Sequence, residues 1–302
     1  MDRLEAMSVF RSVVDEGSFT AAAKALRMPL ASVSRKVSEL ESHLGSRLLT
    51  RSTRKLALTD AGMAYLTAAR RILEEVDQAE RAAAGEYLVP RGELVVTAPL
   101  MFGRLHVLPV VNDFLASHPE INVRLVLSDR NLHLIEDQVD LGLRIGALPD
   151  SDLVATRLGS MRTVVCATPS LLAAHGCPRH PRELTGMPAV CFDVGVLAAG
   201  WRFNDPRTDM PFEVPVTPRL AVTTANAAVT AALAGTGLAR LLVYQVHEAV
   251  EQGALRLVLE DFELEPAPVH LIHAGRELLP LKTRAFLDYA APRLRRSLAA
   301  LG

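Results

Sequence analysis

The periodicity of the apolar residues changes once along the chain, at Pro90-Arg91-Gly92, and no single layer architecture satisfies both sides of that break. Before it, alanine-rich segments carry apolar residues at helical spacing. After it, short strand-like runs beginning with Glu93-Leu94-Val95-Val96-Thr97 alternate with helical stretches. The first texture predicts an all-helical unit with small additions, and the second predicts α/β sheets. The boundary falls at 87–92. A length of 302 residues accommodates about two domains.

Within the first part, Leu4, Met7, Phe10, Val13 and Val14 mark one face of a first helix, which Gly17-Ser18 ends. Phe19 to Leu26 reads as a short second helix, whose alanines suit close approach to a neighbour. Arg27-Met28-Pro29 is a turn, and Pro29 opens a third helix running from Leu30 to about Leu44, where Gly45 stops it. Val33, Val37, Leu40 and Leu44 form its apolar stripe. Ser32, Ser34, Arg35, Lys36 and Ser38 make most of the opposite face. Extended runs at 47–50 and 55–58 flank Arg51-Ser52-Thr53-Arg54 and predict a hairpin, or wing, with a basic tip. Thr59-Asp60 then caps a long helix. In it, Gly62, Tyr65, Ala69, Ile72, Val76, Ala79 and Ala83 step alternately by three and four. Such a seam suits either a second copy of itself or packing on its own domain.

Charge singles out the same region. Arg27, Arg35, Lys36, Arg47, Arg51, Arg54 and Lys55 face only Glu39 and Glu41, so seven bases less two acids leave +5 in a chain of formal net charge −1. A duplex backbone favours such concentration, because neutralised phosphates release their counterions. Two helices and a turn leading into a third with hydroxyl and basic side chains follow the helix-turn-helix plan. Its last helix offers its N-terminal residues to base edges in the major groove. Leu30, Ala31, Ser32, Ser34, Arg35 and Lys36 occupy that position, while Arg51, Thr53 and Arg54 suit phosphates or the neighbouring minor groove. The expected partner is double-stranded DNA. Because so small a patch binds weakly alone, Tyr65, Ala69, Ile72 and Val76 are the candidate contacts for a second copy.

These residues also carry a resemblance. The run Phe10-x-x-Val13-x-x-x-Gly17-Ser18-Phe19-Thr20-x-Ala22-Ala23-x-x-Leu26 opens it. Ser32-Val33-Ser34-Arg35-x-Val37-x-x-Leu40-Glu41-x-x-Leu44-Gly45 and Leu48-Leu49-x-Arg51-x-Thr53-Arg54-x-Leu56-x-Leu58-Thr59-x-Ala61-Gly62 continue it. Together they resemble the signature of LysR-type transcriptional regulators. Further on, Thr97-Ala98-Pro99-Leu100-x-Phe102-Gly103, Asp140-Leu141-Gly142-Leu143-Arg144-Ile145-Gly146 and Ala234-Gly235-x-Gly237-Leu238 resemble the effector-binding part of that family. Two positions depart from the common pattern: His133 stands where many relatives have an acid, and Leu171-Leu172 stand where an aromatic–leucine pair is frequent.

The resemblance implies a multidomain α+β and α/β chain. A winged helix-turn-helix at 1–59, a linker and dimerisation helix at 60–89 and an effector domain at 90–302 make it up. That domain would have two lobes like those of periplasmic binding proteins, 90–162 with 267–302 and 163–266, crossing near Arg162-Thr163 and Pro266-Ala267. It implies promoter DNA and a small-molecule effector, carboxylate or aromatic, as partners, self-association as a dimer or tetramer, and RNA polymerase as a further contact.

The residues themselves give strand candidates at 93–97, 122–127, 141–145, 153–158, 162–167, 189–192, 214–216, 219–223, 237–240, 256–259 and 268–273. Helix candidates are 103–117, 130–137, 169–175, 226–234, 243–251 and 280–298. Ligands in open α/β sheets sit at the carboxyl ends of the strands. That rule places Ala98, Pro99, Leu100, Met101 and Phe102 at a cleft, where a helix start offers N–H groups to an anion. Thr224 and Asn226 face it from the other lobe. Arg144 either meets the ligand or pairs with Asp140, and Trp201 either covers an aromatic ligand or anchors a core.

Other classes lack their chemistry. No G-x-S-x-G, P-loop, strand-linked G-x-G-x-x-G or H-E-x-x-H occurs, so no catalytic set, cofactor or metal is expected. The three cysteines fit no zinc spacing, and no apolar run is long enough to span a bilayer, so the reading is a cytoplasmic protein without a membrane partner.

Overall fold

The computed structural model describes residues 1–51, 56–83, 89–130, 133–134, 137–149, 152–192, 200–275 and 279–301, the side chains at 51, 78 and 81–83 excepted. The chain divides into two compact units, Met1–Val89 and Pro90–Gly302.

The first unit opens with α1 (Arg3–Asp15), α2 (Phe19–Ala25) and α3 (Leu30–Leu44). Asp2 caps α1 by accepting from the Leu4 and Glu5 N–H groups, and Ser18 caps α2 through Ala21. Gly45 ends α3 at φ 62°, a left-handed turn that suits glycine. Phe10, Val13, Ala22, Val33, Val37 and Leu40 interlock at the centre of the three helices. Leu44, expected in the buried stripe, is 39% exposed; it is the last residue of α3, so the stripe ends at Leu40.

The hairpin β1 (Leu49–Arg51) and β2 (Leu56–Leu58) pairs Leu49 with Leu58 and Arg51 with Leu56. Next comes α4 (Asp60–Ala83). The Thr59 hydroxyl donates to the Arg47 carbonyl at 2.7 Å and accepts the Gly62 N–H at 2.9 Å, joining wing and helix. The first half of the seam expected to face a second copy is used inside this unit. Gly62 lies against the Leu48 backbone, Tyr65 packs on Phe10 with ring centroids 5.8 Å apart, and Ala69 is fully buried. Arg70 pairs with Asp15 one position later. Ile72 and Val76 remain half-buried.

The second unit runs β3 (Gly92–Ala98), α5 (Leu100–Phe102), a π-helical turn (Gly103–Val107), α6 (Leu108–Ser117), β4 (Ile121–Leu127), β5 (Leu141–Ile145) and β6 (Leu153–Met161). It continues with β7 (Thr163–Ala167), α7 (Pro169–His175), β8 (Ala189–Phe192), β9 (Trp201–Asp205), β10 (Met210–Val214), β11 (Pro218–Val222) and α8 (Ala225–Leu233). It closes with β12 (Leu238–Leu242), α9 (Val243–Glu251), β13 (Arg256–Val258), β14 (Ala267–Ala274) and α10 (Leu281–Ala299). One five-stranded sheet has the order β4-β3-β5-β14-β6, the other β11-β8-β12-β7-β13. The chain therefore passes between sheets at Arg162 and again before Ala267. One continuous core joins the helices of both lobes, with Phe102, Phe114, Phe286 and Leu294 on the first side and Ala228, Val229, Tyr244 and Val246 on the second.

The hairpin β9–β10 was not legible beforehand, apart from a strand read at 214–216. Each strand offers only two apolar residues to the core, Trp201 with Phe203 and Phe212 with Val214, so the alternation is short. Positions 131–132 and 135–136 of the helix expected at 130–137 lie outside the described residues.

Candidate nucleic-acid interface and effector cleft

The core of the first unit holds α3 by one face and leaves the other free. Leu30 is 48% exposed, Ala31 is exposed, Ser32 and Ser34 are half-buried, and the Arg35 side chain is 70% exposed, with Glu39 at 3.7 Å. Lys36 differs from the expectation. Its ammonium lies 2.5 Å from the Glu5 carboxylate of α1, and its side chain is 19% exposed. That places it under the exposed face, as a tie between α1 and α3. The Arg51 backbone belongs to β1, while its side chain, Thr53 and Arg54 lie outside the described residues.

In the second unit, the loop at the end of β3 is more closed than its sequence suggests. Ala98 and Phe102 are fully buried and Met101 nearly so, while Pro99 and Leu100 keep partial exposure. The Leu100 N–H, expected to await an anion, already donates to the Asp129 carboxylate at 3.0 Å. Gly103 packs so tightly that a Cβ there would lie 2.2 Å from Leu127 Cδ2. A π turn follows, a local irregularity common at functional sites.

Across from this loop stands Tyr244, the second residue of α9 in the other lobe. Its ring meets Phe102 edge-on at 5.2 Å and His106 at 5.7 Å, and Phe102 and His106 lie 4.7 Å apart. Gln245 Nε2 donates to the Tyr244 hydroxyl at 3.2 Å. Burial pushes the Tyr244 phenol up to about 12, with the Asp129 charge adding to the rise, so it stays protonated. Burial, then the charge of His247, holds His106 below its ordinary value. Asp129 and Tyr244 were absent from the sequence reading. Neither belongs to a motif, and only the fold brings the end of β4 beside the start of α9.

The remaining expected residues separate. Thr224 caps α8 by accepting the Ala227 N–H at 3.3 Å, and Asn226 is exposed beside it. Arg144 is buried at 8% exposure, with Nη1 donating to the Leu143 carbonyl at 3.2 Å. Asp140, its possible partner, instead accepts the Val95 N–H at 2.9 Å and faces Lys282 at 3.9 Å. Trp201 does not reach the seam between the lobes. It is 6% exposed in a separate core with Leu171, Leu184, Phe203 and Val214, which corrects its assignment as an effector contact. Cys166 is buried and its thiol pushed up to about 12, an inert core residue, and the three cysteines form no disulfide. Among the described residues no cluster of potential metal ligands occurs and no helix is long and apolar enough to cross a membrane.

Known proteins combine the same two units. Residues 4–63 match the bacterial regulatory helix-turn-helix protein family of lysR type, and residues 89–295 match the LysR substrate binding domain. An HTH-type transcriptional regulator of Xanthomonas campestris pv. campestris is 39% identical over 290 residues, covering 95% of this chain and 84% of that protein. An HTH-type transcriptional repressor of Pseudomonas aeruginosa is 35% identical, covering 96% and 91%. The solved structure of CrgA, a LysR-type transcriptional regulator from Neisseria meningitidis, superposes with a TM-score of 0.61 at 32% identity, covering 96% of this chain and 98% of that one. With a helix-turn-helix that frees one face of its third helix, followed along the chain by a two-lobed unit, the chain belongs to the LysR family of transcriptional regulators.

Proposed function

We propose that this regulator reads its operator through Leu30, Ala31, Ser32, Ser34 and Arg35 of α3, with Arg51, Thr53 and Arg54 of the wing on the flanking backbone. The observation that carries the reading is the exposed Arg35 guanidinium on the free face of α3, within a region of local charge +5. Arginine presents a planar fork suited to guanine O6 and N7, and the wing charges suit phosphates. Two copies pair through the distal part of α4, where Ile72 and Val76 stay half-buried within one chain. The protein acts in the cytoplasm, meets RNA polymerase at the promoter, and takes an effector at the seam where Leu100, Asp129 and Tyr244 converge.

The test is a gel shift of the full chain on the DNA flanking its own coding region, across a salt series. Binding that weakens steeply with salt and protects two half-sites about one helical turn apart supports the reading. Salt-independent binding, or a single unpaired footprint, counts against it.

A further inference from the structure

The third helix, the wing and the linker helix meet at one peptide, that of Leu48. Glu41 lies half-buried in the last turn of α3. Its Oε1 accepts the Leu48 N–H at 2.8 Å and the Leu49 N–H at 3.1 Å. Its own carbonyl accepts the Ser46 N–H at 3.2 Å, so carboxylate and backbone of one residue close the bend from α3 into β1. From the other side, the Leu48 carbonyl accepts the Thr59 N–H at 3.0 Å, while the Thr59 hydroxyl bonds the adjacent Arg47 carbonyl. The same hydroxyl accepts the Gly62 N–H in the first turn of α4, and Gly62 presses on the Leu48 carbonyl.

Glu41 is an acid in an unfavourable place. The C-terminal end of a helix disfavours negative charge, and so do the phosphates expected beside a region of local charge +5. Glu39, the other acid of that region, pairs with Arg35, whereas among the described residues no ion pair includes Glu41. Two successive N–H groups converging on its carboxylate supply the compensation. Hydrogen bonds to a charged acceptor are about twice as strong as those to a neutral one, so this carboxylate holds the wing base more firmly than an amide would.

The other ties of α3 and α4 run through α1, as the ion pairs Lys36–Glu5 and Arg70–Asp15. Both are partly exposed, hence weakened by salt, and neither reaches the wing. The Leu48 junction joins all three elements through backbone groups of a residue that is itself buried.

We infer that Glu41 is a positioning residue for operator reading: it fixes the wing to α3 and, through the Leu48 peptide, the start of α4 to both, so that the three approach DNA as one body. The inference rests on the reading of α3 and the wing as the DNA-contacting elements and adds the residue that sets their relative placement.

The test compares wild type, Glu41→Gln, Thr59→Val and Arg35→Ala as full chains. Filter binding at one salt concentration gives the affinity of each for the operator and for unrelated duplex of the same length, and thermal unfolding shows whether each is folded at the assay temperature. Glu41→Gln keeps the shape and an acceptor oxygen but removes one negative charge, so charge alone would tighten binding to every duplex. The expected result differs: preference for the operator over unrelated DNA falls about fivefold or more, while affinity for unrelated DNA stays the same or rises. Thr59→Val, which alters no charge, lowers that preference about threefold or more from the other side of Leu48. An unchanged or raised operator preference in Glu41→Gln overturns the inference, and so does an equal loss on both DNAs, which marks a defect of folding alone. If Glu41→Gln is unfolded at the assay temperature, Thr59→Val decides by the same criterion; unfolding of both reduces Glu41 to a fold-holding residue and overturns the positioning role. A fall confined to Glu41→Gln removes α4 from the body and keeps the link to the wing. Arg35→Ala separates the inference from the parent reading. Absent wild-type preference, or preference that Arg35→Ala leaves intact, overturns the parent reading and the inference with it. Preference that falls in Arg35→Ala but not in Glu41→Gln overturns the inference alone.

Discussion

Arg162 grips Glu263 in a bidentate ion pair across the two chain crossings that join the lobes of the effector domain. Nε lies 2.8 Å from one carboxylate oxygen and Nη2 lies 2.9 Å from the other, while Nη2 also reaches Glu260 at 2.9 Å. The two acids hold the guanidinium firmly charged, its affinity for the proton raised above the ordinary value chiefly by the Glu263 hydrogen bonds. Because Arg162 directly follows β6 and Glu263 stands four residues before β14, the pair ties both crossings at one point. Arg162→Met is expected to destabilise the effector domain by about 1–2 kcal/mol, since the pair is partly exposed. Urea unfolding of both proteins at low and high salt measures this, and the part of the wild-type–variant difference that disappears in 1 M salt is the electrostatic part.

On the DNA side, Arg35 and Lys36 are adjacent in sequence but differ in task. Arg35→Ala is expected to weaken specific DNA binding by about 1–3 kcal/mol, the range for a base-reading arginine. Lys36→Met changes affinity less than threefold, because its ammonium is engaged with Glu5. A filter-binding titration of both variants decides. Equal losses would move Lys36 back onto the reading face.

Gly62 is constrained by contact and not by backbone angle. A Cβ at this position would lie 1.9 Å from the Leu48 carbonyl oxygen and 2.8 Å from its carbon, both backbone atoms that cannot rotate away. Gly62→Ala is therefore expected to cost about 1–3 kcal/mol or somewhat beyond, despite alanine's better helix propensity. Chemical unfolding followed by helical circular dichroism checks it, and a stabilised variant would show that wing and helix are not held together there.

Acid should loosen the lobe seam. His106 is half-buried against Phe102 and Tyr244, hydrogen-bonded to Ser297 Oγ at 2.7 Å, and lies near His247, which itself is 3.5 Å from Glu251. Its folded-state proton affinity is lowered, so the unfolded chain takes up the proton first. The stabilisation is thus complete above about pH 6.5 and is lost as pH falls through the lowered value. Thermal unfolding from pH 7.5 to 5.5 should show a downward slope that His106→Asn reduces. An unchanged slope in the variant assigns the loss to other groups.

The helix-turn-helix was legible in the sequence because its determinants are local. Ser18 and Asp2 cap, Gly45 stops, and the three- and four-residue steps of Phe10, Val13, Val33, Val37 and Leu40 specify which faces bury. The α/β alternation was likewise readable, down to the ends of β5 and α9, because each run is short, apolar and bounded. What only the tertiary structure decided is the partner of each polar group. The texture break at Pro90 could separate the units, and the chain does divide at Val89–Pro90. It could not say that the α4 seam would be half consumed by Leu48, Phe10 and Asp15, nor that Trp201 would sit behind the sheet. Nor could it say that Asp129, at the end of another strand, would fill the helix start reserved for an anion. Periodicity encodes which face of an element is buried. The charge that meets it across a sheet or a lobe depends on register and crossing, which separate those residues by long stretches of chain.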